Sequence, residues 1–167
     1  MLYKVFFIAI LVVTGCGASR PPIAQYTSAT MIDSYPSAVS FDVSFDLSNN
    51  NDEPLKLVQY TYTVSVDGNT VYHGFAEAQQ TLPRGSTTTS SIPIVVPRAF
   101  ISGQNIVVWH LKGKLDYLSH GALAETLFDS KIWQPSANFT ATDSFDASLV
   151  EYVFPLTVST NELNKTE

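Results

Sequence analysis

Between Val39 and Leu47 the chain reads Val-Ser-Phe-Asp-Val-Ser-Phe-Asp-Leu, apolar at 39, 41, 43, 45 and 47 and polar at each position between. A period of two sends successive side chains to opposite faces of an extended backbone, so this stretch predicts a strand with one buried and one wet face. Such a strand needs neighbours for its ladder and a second layer over its apolar face. The following residues supply both. Asn49-Asn50-Asn51-Asp52 is a turn cluster, and a second run begins near Lys56. There Val58, Tyr60, Tyr62, Val64 and Val66 are expected on one face, with Gln59, Thr61, Thr63 and Ser65 on the other. Asp67-Gly68-Asn69 tolerates positive φ and predicts a hairpin. Thr70 to Phe75 is its returning arm, with Gly74 marking a bulge or a close contact.

Leu82-Pro83-Arg84-Gly85 reads as a turn, and a Ser/Thr run from Ser86 to Ser91 leads into Ile92, Ile94 and Val96. Pro93 and Pro97 cannot donate to a ladder, so this strand is expected at an edge or broken. In the longest strand Val107, Trp109, Leu111, Leu115 and Tyr117 share one face, while His110, Lys112, Lys114 and Asp116 are expected mostly outward. Ala122 to Trp133 fits a strand or a short helix, and Thr126, Phe128 and Ile132 favour the strand. Phe139 to Phe145 and Leu149 to Val158 complete the set. About seven short strands without a long helical period predict an all-β, immunoglobulin- or fibronectin-III-like β-sandwich of antiparallel strands. The single cysteine, Cys16, excludes an intrachain disulfide, so stability must come from packing.

Cys16 follows Lys4, an apolar run from Val5 to Val13, and the small residues Thr14 and Gly15. A basic start, a short apolar core and small residues form a secretory signal peptide. The run is too short for a permanent membrane helix, which needs about 20 residues. Val13-Thr14-Gly15-Cys16 resembles a bacterial lipobox, with Val in place of the usual Leu. The resemblance implies cleavage before Cys16 and diacylglycerol on its sulfur; the alternative is an ordinary signal peptide with an incidental cysteine. Two or more acyl chains, at ~0.8 kcal/mol per buried methylene, would anchor the chain stably. Gly17, where an Asp would retain such a lipoprotein in the inner membrane, favours the periplasmic face of an outer membrane if the host has one. The expected organisation is a signal peptide at 1–15, the lipidated cysteine and a flexible tether at 16–35, the sandwich at 36–158, and a polar tail at 159–167. Part of the tether, around Ile23 to Ile32, could lie against the domain.

The stretch FDVSFDLSNNNDEPLKLVQYTYTVSVDGNTVYHGF, followed by LPRGSTTTSSIPIVV, resembles the water-stress and hypersensitive-response domain of the type 2 late embryogenesis abundant proteins. That domain also occurs in bacterial lipoproteins. Asn49 and Asn51 match its Asn-Pro-Asn turn, and Pro54, Leu55, Tyr60, Gly68, Gly74, Leu82, Pro83 and Gly85 match the rest; Asn50 replaces the family's proline. The resemblance implies structural rather than catalytic roles for these residues. It also implies an association with desiccation and stress tolerance, and lipid binding or transfer in some relatives.

The charge and the side chains narrow the chemistry. The formal net charge is −6 with no basic cluster, which argues against nucleic acid as a partner. His73, His110 and His120 lack metal-ligand spacing, and no G-x-S-x-G elbow or phosphate-cradling glycine loop occurs. Asp42 and Asp46 would lie roughly 13 Å apart along one strand, too far for a retaining glycosidase pair. They read instead as a solvated face that discourages edge pairing. Asp143, Asp146 and Glu151 are scattered acids without the spacing of a calcium loop. No cofactor, metal or catalytic residue is expected. The expected role is a membrane-anchored, non-enzymatic envelope module for binding or stress protection. Its competitors are a lipid carrier that holds an acyl chain in one end of the sandwich, and a structural subunit of an envelope complex.

Overall fold

The computed structural model describes residues 19–150. The strands are β1 (Ile23–Ser34), β2 (Ala38–Ser48), β3 (Leu55–Val66), β4 (Asn69–Leu82), β5 (Thr87–Pro97), β6 (Ile106–Ser119) and β7 (Ser136–Asp146), with one helix, α1 (Ala122–Asp129), between the last two. They form two antiparallel sheets, ordered β1-β2-β5 and β4-β3-β6-β7. The sheets face each other, and β4 lies against β5 and β1 against β7 along the two sides. This is the seven-stranded sandwich the alternation demanded. Val39, Phe41, Val43, Phe45 and Leu47 all point into the core, against Trp109, Leu111, Leu115 and Phe139 of the other sheet.

Among the described residues β5 pairs only with β2, leaving the N-H-less Pro93 and Pro97 on an edge strand where they cost no further ladder bond. Asp67 (φ 50°) and Gly68 (φ 78°) make the two positive-φ residues of a type I′-like hairpin between β3 and β4. That hairpin's second arm runs to Leu82, seven residues beyond the expected Phe75.

Several expectations are corrected. Residues 23–34 are not part of a flexible tether. They form β1, paired with β2 from Ile23↔Ser48 to Ser34↔Val39, so the sandwich begins at Ile23. The segment lacks a clean period because β1 is an edge strand with two register shifts, which breaks its alternation. With β1 in place, β2 is a central strand, so Asp42 and Asp46 do not guard an edge; Asp46 instead accepts a hydrogen bond from Thr89 Oγ1 at 2.7 Å. Val58 does not share the face of Tyr60. A register shift between Leu57 and Gln59 against both neighbours puts Leu55 and Leu57 in the core, then Tyr60, Tyr62, Val64 and Val66. Residues 122–133 are not a strand: Ala122 to Asp129 are helical, because Ala, Leu and Glu outweigh the β-favouring Thr126 and Phe128. Leu149 and Val150 close a short 3₁₀ turn rather than open a strand, and the remainder of the expected strand, 151–158, lies outside the described residues, as does the tail.

Polar ties cross the sandwich. Tyr60 Oη shares a 2.8 Å hydrogen bond with Ser90 Oγ, and Tyr62 Oη donates to the Pro93 carbonyl, joining β3 to β5. Tyr26 Oη donates to Asp143, joining β1 to β7. Burial pushes the phenols of Tyr60 and Tyr62 above the ordinary 10.0. Burial, then the Asp143 carboxylate, does the same to Tyr26. A phenol whose folded pKa is raised contributes its full stability below the unfolded value and loses it as pH climbs through the folded value. The urea midpoint is therefore expected to hold to about pH 10 and fall steeply above it. The tyrosinate absorbance of Tyr26, Tyr60 and Tyr62 should appear with unfolding rather than before it. A midpoint that stays flat while the same phenols ionise would contradict their burial.

Candidate functional site

The residues shared with the resembled family gather chiefly at one end of the sandwich. Asn49 follows β2 and is fully buried. Its Nδ2 donates to the carbonyls of Glu53 (2.8 Å), Leu82 (3.1 Å) and Pro83 (3.1 Å), and its backbone N–H donates to Ser86 O (2.9 Å). Its Oδ1 accepts from the backbone N–H (3.0 Å) and Nδ2 (2.7 Å) of Asn51. One amide thus ties the 49–54 turn to the 82–86 turn, a dense use of its donors and acceptor. Pro54 leads into the buried Leu55, which pairs with the equally buried Leu82, and Gly85 at φ 58° completes the second turn.

Asn51 extends the network to the start of the described chain. Its Nδ2 donates to Arg20 O (2.9 Å), and its Oδ1 accepts from the Arg20 backbone N–H (2.7 Å). Beside this clamp the Ser19 and Ser119 hydroxyls share a hydrogen bond. The N-terminal segment is therefore held across the end of β6, next to α1. The remaining motif residues lie elsewhere. Tyr60 is in the core, Gly68 is in the hairpin at the far end of β3, and Gly74 sits in mid-β4 directly opposite Tyr62. Gly74 is a close contact and not a bulge, since its position lies under the Tyr62 ring. Cys16 and the lipobox residues Val13, Thr14 and Gly15 fall outside the described residues.

A groove of about 570 Å³ opens at this same end. It runs between α1 and the strand ends and is walled by Leu55, Ala122, Leu123, Leu127 and Trp133, with Ser19 at its border. α1 has no buried residue, and Leu123 is 71% and Trp133 42% exposed. The chain turns back after the helix through Lys131 at φ 58°, and the Ile132 and Trp133 N–H groups both donate to Leu127 O. Sequence reasoning misses this groove because it favours a strand over a short helix for 122–133. A helix there would have put Leu123 and Leu127, four residues apart, on one face.

Among the described residues the titratable groups are engaged singly rather than gathered into a reactive constellation. His73 and His110 each meet a cross-strand threonine, Thr63 at 3.2 Å and Thr142 at 3.0 Å, on wet faces of the larger sheet. Among the described residues no group of three His, Cys, Asp or Glu side chains is placed to hold a metal ion. Asp143 is engaged by Tyr26. Two serine donors hold Asp146 below the usual carboxylate range: the Ser148 hydroxyl and its backbone N–H. Asp116 faces outward, as expected, yet it is buried: it is on the outer face of β6 but only 6% exposed. The shift at Val58 sets it opposite Gln59, whose Nε2 donates to Oδ2 at 2.8 Å, and Lys114 Nζ stands 3.5 Å from Oδ1. It is a structural ion pair at a strand end.

A family model for late embryogenesis abundant proteins matches residues 44–132, more than half of the 167-residue chain. No curated protein matches. Among solved structures, a solution structure from Arabidopsis thaliana is 12% identical, with a TM-score of 0.57, over 77% of this chain and 83% of that one. Another solution structure, of a late embryogenesis abundant protein, is 11% identical with a TM-score of 0.58, over 75% and 70%. A crystal structure of an Archaeoglobus fulgidus protein is 15% identical with a TM-score of 0.51, over 73% and 97%. At these identities the likeness is one of fold.

Proposed function

This chain belongs to the late embryogenesis abundant protein family, type 2, and from that premise we propose that it is a non-enzymatic binding or stress-protection module anchored to the cell envelope by lipid on Cys16. The observation that carries the reading is the engagement of its most distinctive side chains. Asn49 and Asn51 are taken up by backbone groups, and Tyr60 by an inter-sheet tie, so the family's motif builds a scaffold and not a reaction centre. The clamp on Ser19 and Arg20 supports the anchor. It fixes the chain only three residues after Cys16, where a membrane attachment would hold the domain close to the lipid. Gly17 favours the periplasmic face of an outer membrane if the host has one.

The test is metabolic labelling with an alkyne fatty acid in cells carrying the natural chain or Cys16→Ser. The natural protein should take label and sediment with membranes, and the variant should do neither. Equal labelling of both, or of neither, ends the anchor reading. The apolar groove favours a second reading, carriage of a lipid. Mass spectrometry of the purified Cys16→Ser protein should then find a stoichiometric lipid, and repeated absence would remove that role.

A further inference from the structure

We propose that the α1 end of the sandwich docks on the lipid bilayer, seating Leu123 and Trp133 among the headgroups and upper acyl chains. This rests on the Cys16 anchor proposed above. Three features converge. First, the chain is fastened to this end: Ser19 to Ser119, and Arg20 to Asn51 through two backbone bonds of 2.7 and 2.9 Å. From Ser19 back to Cys16 there are three residues, which span at most about 11 Å. The domain therefore hangs on a leash shorter than its own strands, and the fastened end is the one next to the membrane. Second, that end carries the groove and the exposed apolar side chains beside it, Leu123, Ile132 and Trp133, at 71, 74 and 42%. A tryptophan half out of a protein surface is the residue type that favours the membrane–water interface. Third, the leash makes docking intramolecular, so even a small apolar contact would be populated.

A bilayer fits this surface better than the chain's own acyl group folded back into the groove. Moving that group out of hydrocarbon into another apolar setting exchanges like for like. Seating Leu123 and Trp133 in the bilayer removes them from water, which is the favourable change.

The experiment uses the mature, lipidated protein in phosphatidylcholine vesicles, with ordinary or brominated acyl chains. Trp109 is 1% exposed in the core and serves as an internal reference. Bromolipid is expected to cut the tryptophan emission of the natural protein. The cut should vanish in Trp133→Phe and weaken in Leu123→Ser. Slower amide exchange over 122–133 on vesicles should accompany it, a readout that needs no variant. Vesicle-bound protein with equal emission in both lipids would overturn docking while leaving the anchor intact. Protein that fails to float with vesicles would overturn the anchor and docking together. Quenching obtained only when the bromine is on the Cys16 acyl chains, and not on the vesicle lipid, would assign the groove to the chain's own lipid and overturn the proposal.

Discussion

Gly113→Ala should destabilise the domain by about 3 kcal/mol, at the upper end of what one added methyl costs in a packed interior. The reason is a row of four residues running straight across the larger sheet. Gly74 of β4 pairs with Tyr62 of β3, Tyr62 pairs with Gly113 of β6, and Gly113 pairs with Phe139 of β7. Glycine and aromatic alternate, and each ring lies over the glycine beside it. A Cβ on Gly113 would stand 2.4 Å from Phe139 Cζ and 2.8 Å from Tyr62 Cβ. Neither can yield cheaply. Tyr62 Cβ moves only with the β3 backbone, and the Phe139 ring is wedged against Phe45 and Tyr60 with centroids 5.0 and 5.9 Å away. A Cβ on Gly74 would fall 2.1 Å from the Tyr62 ring, whose hydroxyl is tied to Pro93. Since a domain of this size is stable by only about 5–15 kcal/mol, Gly113→Val should leave it largely unfolded. Urea titration of Gly113→Ala, Phe139→Leu and the double variant checks the mechanism. The smaller side chain should make room for the methyl, giving a favourable coupling of at least about 1 kcal/mol in the double-mutant cycle. Additive losses, or an unchanged midpoint for Gly113→Ala, would refute the contact.

That row shows what a one-dimensional pattern can and cannot carry. The alternation of β2 and most of β6 was legible because each has a single buried face, and a period of two then follows from the pleat. The hairpin at Asp67-Gly68 was legible because few residues accept its dihedrals. Gly74 could be flagged as a bulge or a close contact but not resolved between them, since the choice depends on which strand lies beside it. β1 was hidden for a related reason: an edge strand with two register shifts and one half-wet face has no period to read. The single extra residue at Val58 reversed the phase within β3, so Leu57 went unassigned and Val58 was placed on the wrong face. A bulge leaves no composition signal, and only the buried state of both Leu57 and Tyr60 reveals it.

The candidate site was legible in its parts and not in its assembly. Asn49, Pro54 and Gly85 each read as turn residues and lie between strands, whereas Leu82, read with them, is the last residue of β4. Their junction depends on the 82–86 turn folding back beside the 49–54 turn, a contact more than thirty residues apart in sequence. The groove also needs α1, which β-favouring Thr126 and Phe128 concealed. Thr126 is accommodated because its hydroxyl donates back to the Ala122 carbonyl at 2.8 Å, a bond available only in the helix.

Asn49→Asp should be the most damaging isosteric change at that junction, costing about 4 kcal/mol or more near neutral pH. The substitution keeps the shape and the oxygen that accepts from Asn51. What it removes is the NH₂ group facing the carbonyls of Glu53, Leu82 and Pro83. An anionic oxygen would stand there instead, within about 3 Å of three carbonyl oxygens and sealed from water. Burial and those dipoles both disfavour the charge, so the new carboxyl should have its folded pKa raised above the unfolded value of about 3.9. A raised pKa means that the penalty is smallest below the unfolded value and grows as pH climbs through the folded one. The stability gap between Asn49→Asp and the natural chain should therefore be narrower at about pH 4 than at about pH 7, because the protonated acid can donate one of the lost hydrogen bonds. Asn49→Ala, which leaves the carbonyls unsatisfied but adds no charge, should cost about 3 kcal/mol with no such pH dependence. Urea midpoints for the three proteins at both pH values decide the matter. A gap for Asn49→Asp that stays constant between them would mean the junction admits water, and the amide would then be one turn residue among several rather than the link that joins the two loops.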